Sequence, residues 1–201
     1  NTKVFATVSP AALGNKVLFP FSGGSIVALN AVSGIEEWEI NLENSNIGSA
    51  SAALGDFASD PAVYGSTIFG VGAFGETFSA NKSGKVLWRN NIQSSSRLIV
   101  SGNSAFYSSN NSLIGRINSK NGKIVFLNEF TGKKWVKYHG PLLLQNKLLV
   151  LATDKNAYWF SPEDGRLLNK EKLGKKISSP PIVVNKRLMF VSEDGMLNIL
   201  N

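Results

Sequence analysis

Short apolar segments recur along the chain, and each is interrupted by a turn. The turns contain Gly or Asn, residues that tolerate the positive φ required by tight hairpin turns. The pattern therefore predicts five β-hairpins, at AALGNKVLF (11–19), AVYGSTIF (62–69), LIVSGNSAFY (98–107), LLLQNKLLV (142–150) and IVVNKRLMF (182–190).

Two further strands follow most of these hairpins. The third alternates polar and apolar residues, as in SIVALNA (25–31) and ETFSANK (76–82), which is typical of a half-buried strand. The fourth follows a Gly turn and carries an aromatic residue four positions after the Gly. It occurs at SGIEEW (33–38), SGKVLW (83–88) and NGKIVF (121–126), whereas DGRLLN (164–169) has Asn169 at the aromatic position.

The spacing of the Gly turns indicates the architecture. Successive turn glycines, Gly34, Gly84, Gly122 and Gly165, are 50, 38 and 43 residues apart. Four short antiparallel strands in such a period are typical of a β-propeller blade. The sequence therefore predicts an all-β fold, a single partial propeller over residues 1–201 with blades at approximately 9–43, 60–93, 97–130, 140–174 and 180–201. The last blade stops after its third strand, and residues 1–8 are the candidate for its fourth.

A long segment separates the first two repeats. Residues 43–60, ENSNIGSASAALGDFASD, are too many for a hairpin turn and are rich in small residues. Loops of this length in compact repeat folds are commonly functional or disordered. We therefore expect this interblade loop to be the element that contacts a partner.

Composition and charge narrow the possible functions. The chain has no Cys and a single His, which excludes thiol catalysis and Cys-ligated metal sites and argues against His-rich ones. Its net charge is +7, and residues 116–201 contain fifteen basic and seven acidic side chains. Such a bias can mark contact with nucleic acid or an anionic membrane, but a solvated Lys-rich surface gives the same count. We favour the solvated surface.

Two motifs resemble binding or catalytic sites, but we interpret both as structural parts of the repeats. Gly70, Gly72 and Gly75 spell GxGxxG, but a strand pattern follows them, whereas a dinucleotide site requires a helix and a later acidic residue. His139 lies in GKKWVKYHG (132–140), where basic and aromatic residues alternate as in some nucleic-acid-binding segments. We favour a loop, because the segment falls between two blades, where Lys side chains commonly extend over the surface. A catalytic role for His139 is disfavoured further, because the sequence offers it no nucleophile or orienting carboxylate.

The repeat is similar to the PQQ-type propeller repeat, and the order of its features resembles the C-terminal part of the BamB family. This family comprises periplasmic lipoproteins of the outer-membrane β-barrel assembly machinery. The resemblance is carried by SPAALGNKVLFPFSGGSIVALNAVSG (9–34), LGDFASDPAVYGSTIFGV (54–71), SGKVLWRNNI (83–92), YWFSPEDGRLL (158–168) and PPIVVNKRLMFVSEDGMLNIL (180–200).

The resemblance implies a non-enzymatic scaffold without a cofactor, part of an eight-bladed ring. In that family, propeller loops dock a POTRA domain of BamA, and unfolded outer-membrane proteins are further expected partners. The family protein is attached to the outer membrane through a lipid on an N-terminal Cys that this chain does not contain. Leu54, Asp56 and Pro61 match the family's docking-loop pattern, and Asn110-Asn111 stands where the family has an Asp-bearing turn.

These implications give the predicted site. We expect no catalytic, cofactor or metal residues, and partner binding through Leu54, Asp56, Phe57, Asn110 and Asn111. Leu54 and Phe57 would be apolar anchors, and Asp56 would set register by charge. The alternative function is a PQQ- and calcium-dependent quinoprotein dehydrogenase or another carbohydrate-active propeller. It would need calcium-holding carboxylates and a base Asp, which are not recognisable in the sequence.

Overall fold

The structure, a computed structural model, describes residues 8–21, 24–42, 57–72, 76–92, 94, 96–109, 111–131, 136–185 and 187–200. These residues form strands, turns and connecting segments, with no helix among them and hence none able to cross a membrane. The strands are β1 (Ala11–Leu13), β2 (Lys16–Phe21), β3 (Ser25–Asn30), β4 (Glu36–Asn41), β5 (Ala62–Tyr64), β6 (Thr67–Val71), β7 (Glu76–Asn81), β8 (Val86–Asn91), β9 (Ile99–Ser101), β10 (Ser104–Ser108), β11 (Leu113–Asn118), β12 (Ile124–Glu129), β13 (Tyr138–Leu144), β14 (Lys147–Ala152), β15 (Asn156–Phe160), β16 (Leu167–Lys172), β17 (Ile182–Val184), β18 (Arg187–Val191) and β19 (Leu197–Leu200).

The strands form five sheets in chain order. The first four sheets have four strands each, β1–β4, β5–β8, β9–β12 and β13–β16, and the fifth has β17–β19. Each strand lies beside the next one along the chain, and the pairs whose register is defined are antiparallel. The predicted all-β fold of antiparallel blades is therefore confirmed. Residues 1–7, most of the proposed closing strand, lie outside the described residues.

Alternation along the strands decides which side chains are buried. In β3, Ile26 and Ala28 are fully buried, whereas the residues between them are partly exposed. Phe78 of β7 is fully buried as well, as the alternating pattern predicts. Strand β3 therefore directs every second side chain into the hydrophobic core, whereas β7 is buried on both faces, since Thr77 and Ser79 are also fully buried.

The chain divides into two compact units, residues 1–105 with 117–124 and residues 106–116 with 125–201. The core of the first unit includes Leu13, Leu18, Ile26, Ala28, Ile40, Phe57, Ile68, Phe78 and Ala80. Two apolar clusters lie among the described residues of the second unit. One contains Phe106, Ile114, Tyr138, Leu148, Val150, Ala152, Tyr158 and Phe160, and the other contains Leu149, Leu151, Ala157, Ile177, Leu188 and Phe190.

The repeated spacing of Gly turn and aromatic residue has a structural cause that recurs from sheet to sheet. The ring of the fourth strand lies against the turn glycine of the next sheet, in the pairs Trp38 with Gly84, Trp88 with Gly122, and Phe126 with Gly165. The indole N–H groups of Trp38 and Trp88 also donate to backbone carbonyls beside these turns, at 3.1 Å to Lys82 O and 2.9 Å to Ser119 O. An aromatic side chain on one sheet thus fixes the position of the following turn.

Candidate partner-binding loops

The C-terminal end of the interblade loop is attached to the second sheet. Phe57 forms an isolated antiparallel bridge with Gly72, and the backbone N–H of Ala58 donates to Val71 O at 2.8 Å. Gly72 directly follows β6, so the bridge places the loop end beside the turn between β6 and β7. The C-terminal end of the interblade loop is therefore fixed at the end of β6.

Phe57 is the one predicted apolar anchor that the structure describes. Its side chain is only 3% exposed and meets the Phe78 ring edge-on, with ring centroids 6.5 Å apart. The sequence predicts that this ring contacts a partner. In the structure the ring lies in the core of the first unit, and its contact with a partner stays a prediction.

Asp60 fixes the loop end at a second point. One of its carboxylate oxygens accepts a hydrogen bond from the backbone N–H of Ser9 at 2.6 Å, which ties the segment before β5 to the segment before β1. Pro61, a buried residue, then leads directly into β5. Leu54 and Asp56 lie outside the described residues, so their role stays a prediction.

The second predicted element, the turn at Asn110-Asn111, lies in the second unit. Asn111 is exposed and its backbone N–H donates to Ser109 Oγ at 3.2 Å, whereas Asn110 lies outside the described residues. Ser112 has a positive φ of 61° and is buried beneath the turn. Its hydroxyl is 2.9 Å from the Tyr138 hydroxyl and 3.3 Å from Thr131 Oγ1. These hydrogen bonds fix the Ser112 side chain, and Asn111 beside it lies at the surface.

The GxGxxG segment contributes to packing. Gly70 faces Phe78 across the β6–β7 pair, and a Cβ atom there would overlap the Phe78 ring. Gly72 forms the bridge to Phe57, and a Cβ there would lie 3.0 Å from Leu42. Strand β7 follows, so the helix of a dinucleotide fingerprint is absent from the described part of this segment. Gly75, the last glycine of the motif, lies outside the described residues.

The expectation that His139 lies in a loop between blades is wrong, because His139 lies on β13, paired with Leu151, and is partly buried. Burial, together with the positive charge of Lys137, lowers the pKa of the imidazole, so the side chain is neutral at pH 7. Over the ranges that the structure describes, no group of three or more His, Asp or Glu side chains is arranged to hold a metal ion.

A second backbone bridge of the kind formed by Phe57 occurs in the second unit, and it was not predicted from the sequence. Ile177 forms an isolated bridge with Ser192, and Ser178 N–H donates to Val191 O at 2.9 Å. Ile177 is fully buried, as Phe57 nearly is. The signal was available, because both residues stand five positions before a first strand, in FASDPAVY (57–64) and ISSPPIVV (177–184).

The chain is similar in sequence to proteins of one named family. The family model described as "Outer membrane protein assembly factor BamB" matches residues 1–128. A protein of that name from Legionella pneumophila is 26% identical over 199 residues, covering 98% of this chain and 51% of the relative. The Escherichia coli K12 protein of that name is 20% identical over 174 residues, covering 86% of this chain and 44% of the relative. The chain thus spans about half the length of the curated relatives it matches.

Solved structures give the same fold. The crystal structure of BamB from Moraxella catarrhalis aligns with a TM-score of 0.85 at 19% identity, covering 99% of this chain and 60% of that chain. A computationally designed protein, Ika8, aligns with a TM-score of 0.72 at 12% identity, covering 94% of this chain and 56% of that chain. The likeness to the BamB structure shows a β-propeller fold.

Proposed function

The chain belongs to the BamB family of outer membrane protein assembly factors, and we propose that it acts as a non-enzymatic scaffold that docks a POTRA domain of BamA through its interblade loop. The location that accompanies this function is the periplasmic face of the outer membrane, with a lipid anchor in the full-length protein. Unfolded outer-membrane proteins are proposed as further partners.

The attachment of the loop end is the observation that carries the proposal. Three independent contacts fix residues 57–60: the buried Phe57 ring, the bridge to Gly72 and the hydrogen bond from Ser9 to Asp60. A segment held at its base loses less conformational entropy on binding than a free one. Leu54 and Asp56 directly precede this fixed base.

The roles within the loop follow from residue chemistry. Leu54 would enter an apolar pocket of the POTRA domain, and Asp56 would pair with a basic group beside it. Buried apolar anchors account for most of the binding energy in protein interfaces, whereas charges at the rim mainly set register and association rate. Phe57 would contribute indirectly by positioning both side chains.

Replacing both residues, as Leu54→Ala with Asp56→Asn, tests the proposal. We expect binding to the purified POTRA region of BamA to weaken by about 30-fold or more, because losing a central anchor typically costs about 2 kcal/mol or more. Binding is measured by surface plasmon resonance at two ionic strengths. Circular dichroism should remain that of a β protein.

A matched control uses the same types of residue elsewhere in the first unit. Ile35 is 67% exposed and Glu36 is also exposed, at the turn between β3 and β4. The variant Ile35→Ala with Glu36→Gln should bind the POTRA region as tightly as the unmodified chain. If the Leu54/Asp56 variant and this control bind with equal affinity, the interblade loop is not part of the interface.

A further inference from the structure

Two successive turns of the first unit carry the same pair of lysines. These turns, NKSGK (81–85) and SKNGK (119–123), each have a Lys two positions before the glycine and another directly after it. All four side chains are exposed: Lys82, Lys85, Lys120 and Lys123. None of the four pairs with a carboxylate in the part of the chain that the structure describes. We call these two segments the lysine turns.

The fold of the turn does not require these lysines. At the same two positions the first sheet has Val32 and Ile35, and the fourth sheet has Glu163 and Arg166. The glycine of all four turns nevertheless has a similar positive φ, between 70° and 81°. The lysine pairs of the second and third sheets therefore add a charge that the turn itself does not use.

The lysine turns are linked to each other through β8, the strand that follows the first of them. The Trp88 ring lies against Gly122 of the second turn, and its indole N–H donates to Ser119 O at 2.9 Å. From the same strand, Asn90 Nδ2 donates to Gly122 O at 2.6 Å. The four ammonium groups are therefore carried by neighbouring turns of one compact unit.

Exposed apolar side chains accompany the lysine turns. Leu87 is 48% exposed and stands two positions after Lys85, and Ile124 is 51% exposed and directly follows Lys123. Carboxylates lie on the neighbouring first sheet, where β4 carries Glu36, Glu37 and Glu39, and Glu37 is paired with Lys16. The surface that we consider is thus limited to the second and third sheets.

The C-terminal lysines with defined ion pairs have different surroundings. Lys175 lies 2.6 Å from a carboxylate oxygen of Asp194, and Lys176 lies 2.7 Å from one of Glu193. Their charges are compensated locally. The excess of basic residues over 116–201 therefore does not by itself locate a binding surface, whereas the lysine turns combine exposure with the lack of a described ion pair.

In the second sheet, the lysine turn and the interblade loop lie at opposite ends. Consecutive antiparallel strands place the turn between the second and third strands at one end of a sheet and the turn between the third and fourth at the other. Phe57 attaches the loop beside the turn between β6 and β7, whereas Lys82 and Lys85 lie between β7 and β8. A ligand at the lysine turns would therefore leave the loop accessible.

We propose that the lysine turns bind the surface of an anionic lipid bilayer, with Leu87 and Ile124 entering its headgroup layer. Charge complementarity identifies the partner, because each Lys near an anionic lipid surface raises affinity about fivefold. Lys is depleted in protein interfaces, and neither turn, both fully described, has the aromatic side chain on which nucleic-acid bases stack. The inference rests on the proposed location at the outer membrane but not on docking to BamA.

The test measures partitioning of the chain onto vesicles by cosedimentation at low salt. The vesicles contain phosphatidylcholine with about 30% phosphatidylglycerol. Lys85→Gln with Lys123→Gln should weaken partitioning about 30-fold. The control, Lys155→Gln with Lys172→Gln, removes the same charge from two exposed lysines of the second unit and should weaken it less than about threefold. High salt should release the unmodified chain.

A fluorescent label locates the contact. Because the chain has no Cys, a single introduced thiol can be labelled specifically with the polarity-sensitive dye NBD. Ser83→Cys places the dye on the first lysine turn, and Asn91→Cys places it at the far end of β8; both positions are exposed. On the anionic vesicles the emission at position 83 should shift to shorter wavelength, while the emission at position 91 should not change.

Several results would overturn the proposal: equal partitioning onto phosphatidylcholine alone, equal effects of the two Lys pairs, or equal shifts of the two labels. Binding of single-stranded DNA that requires Lys85 and Lys123, without binding to vesicles, would identify a nucleic-acid site instead. The Lys85/Lys123 variant should bind the POTRA region of BamA as tightly as the unmodified chain. Because the vesicle measurements need no BamA, their failure is distinguishable from failure of the docking proposal.

Discussion

Replacing Gly122 by Ala should destabilise the protein by about 2–5 kcal/mol, the sum of a backbone and a packing effect. Gly122 has a φ of +70°, a conformation that costs an L-residue about 1–2 kcal/mol. A Cβ atom there would also lie 2.7 Å from the Trp88 ring. Overpacking of this kind adds about 1–3 kcal/mol.

Trp88 has little freedom to move away from such a methyl group. Its side chain is 8% exposed, its N–H is bonded to Ser119 O, and its ring centroid is 6.1 Å from that of Phe69. Relief of the overlap would therefore break the hydrogen bond or disturb the second sheet. The free energy of unfolding is measured by urea denaturation monitored by circular dichroism.

Gly34 provides the control for the Gly122 substitution. It occupies the same turn in the first sheet with a φ of +71°, but a Cβ atom added there would have no neighbouring atom within 4 Å. Gly34→Ala should therefore cost only the backbone term, about 1–2 kcal/mol. If the two variants lose equal stability, the contact between the Trp88 ring and the Gly122 turn has no energetic role.

The strand order was predictable because local residues determine it. Hairpin turns require residues that accept positive φ, and Gly14, Gly65 and Gly102 supply them between the first two strands of three repeats. Alternation of polar and apolar residues then determines which face is buried, as at Ile26 and Ala28. These signals involve neighbours in sequence, so no knowledge of the fold was needed to read them.

Features that depend on register or on distant contacts were not predictable to the same degree. In the sequence, Asn169 stands out only as a loss of the repeat's aromatic residue, yet its pairing with Trp159 shows that the aromatic residue lies on the neighbouring strand. A single sequence does not define which residues of two strands lie opposite each other. The pairing of Trp159 with Asn169 depends on that register and therefore could not be predicted from the sequence.

Phe57 illustrates a different difficulty. An apolar residue in a long polar loop is compatible with partner contact and with burial, and the choice depends on what lies beneath the loop. The structure supplies Phe78 and Gly70 at that position, and the absence of a side chain on Gly70 makes room for the Phe57 ring, while Gly72 forms the bridge to Phe57. The loop's base is thus fixed by residues that, in the sequence, resemble a nucleotide-binding motif.

Phe57→Ala should consequently destabilise the protein by about 3–5 kcal/mol, the usual cost of truncating a buried Phe. The lost interactions are the burial of a ring that is 3% exposed and its edge-on contact with Phe78. Phe21, at the end of β2, is 50% exposed, so Phe21→Ala should cost less than about 1 kcal/mol. Both free energies of unfolding are measured by urea denaturation.

A third variant, Phe57→Leu, together with this pair separates support of the loop from direct contact with a partner. If Phe57 only positions the loop, Phe57→Leu should retain most of the stability and most of the affinity for the POTRA region, because a branched apolar side chain still fills the site. If Phe57 contacts the partner, Phe57→Ala would leave the unfolding free energy near that of Phe21→Ala while abolishing binding. We expect the first result, since the Phe57 ring is already enclosed by the core of the first unit.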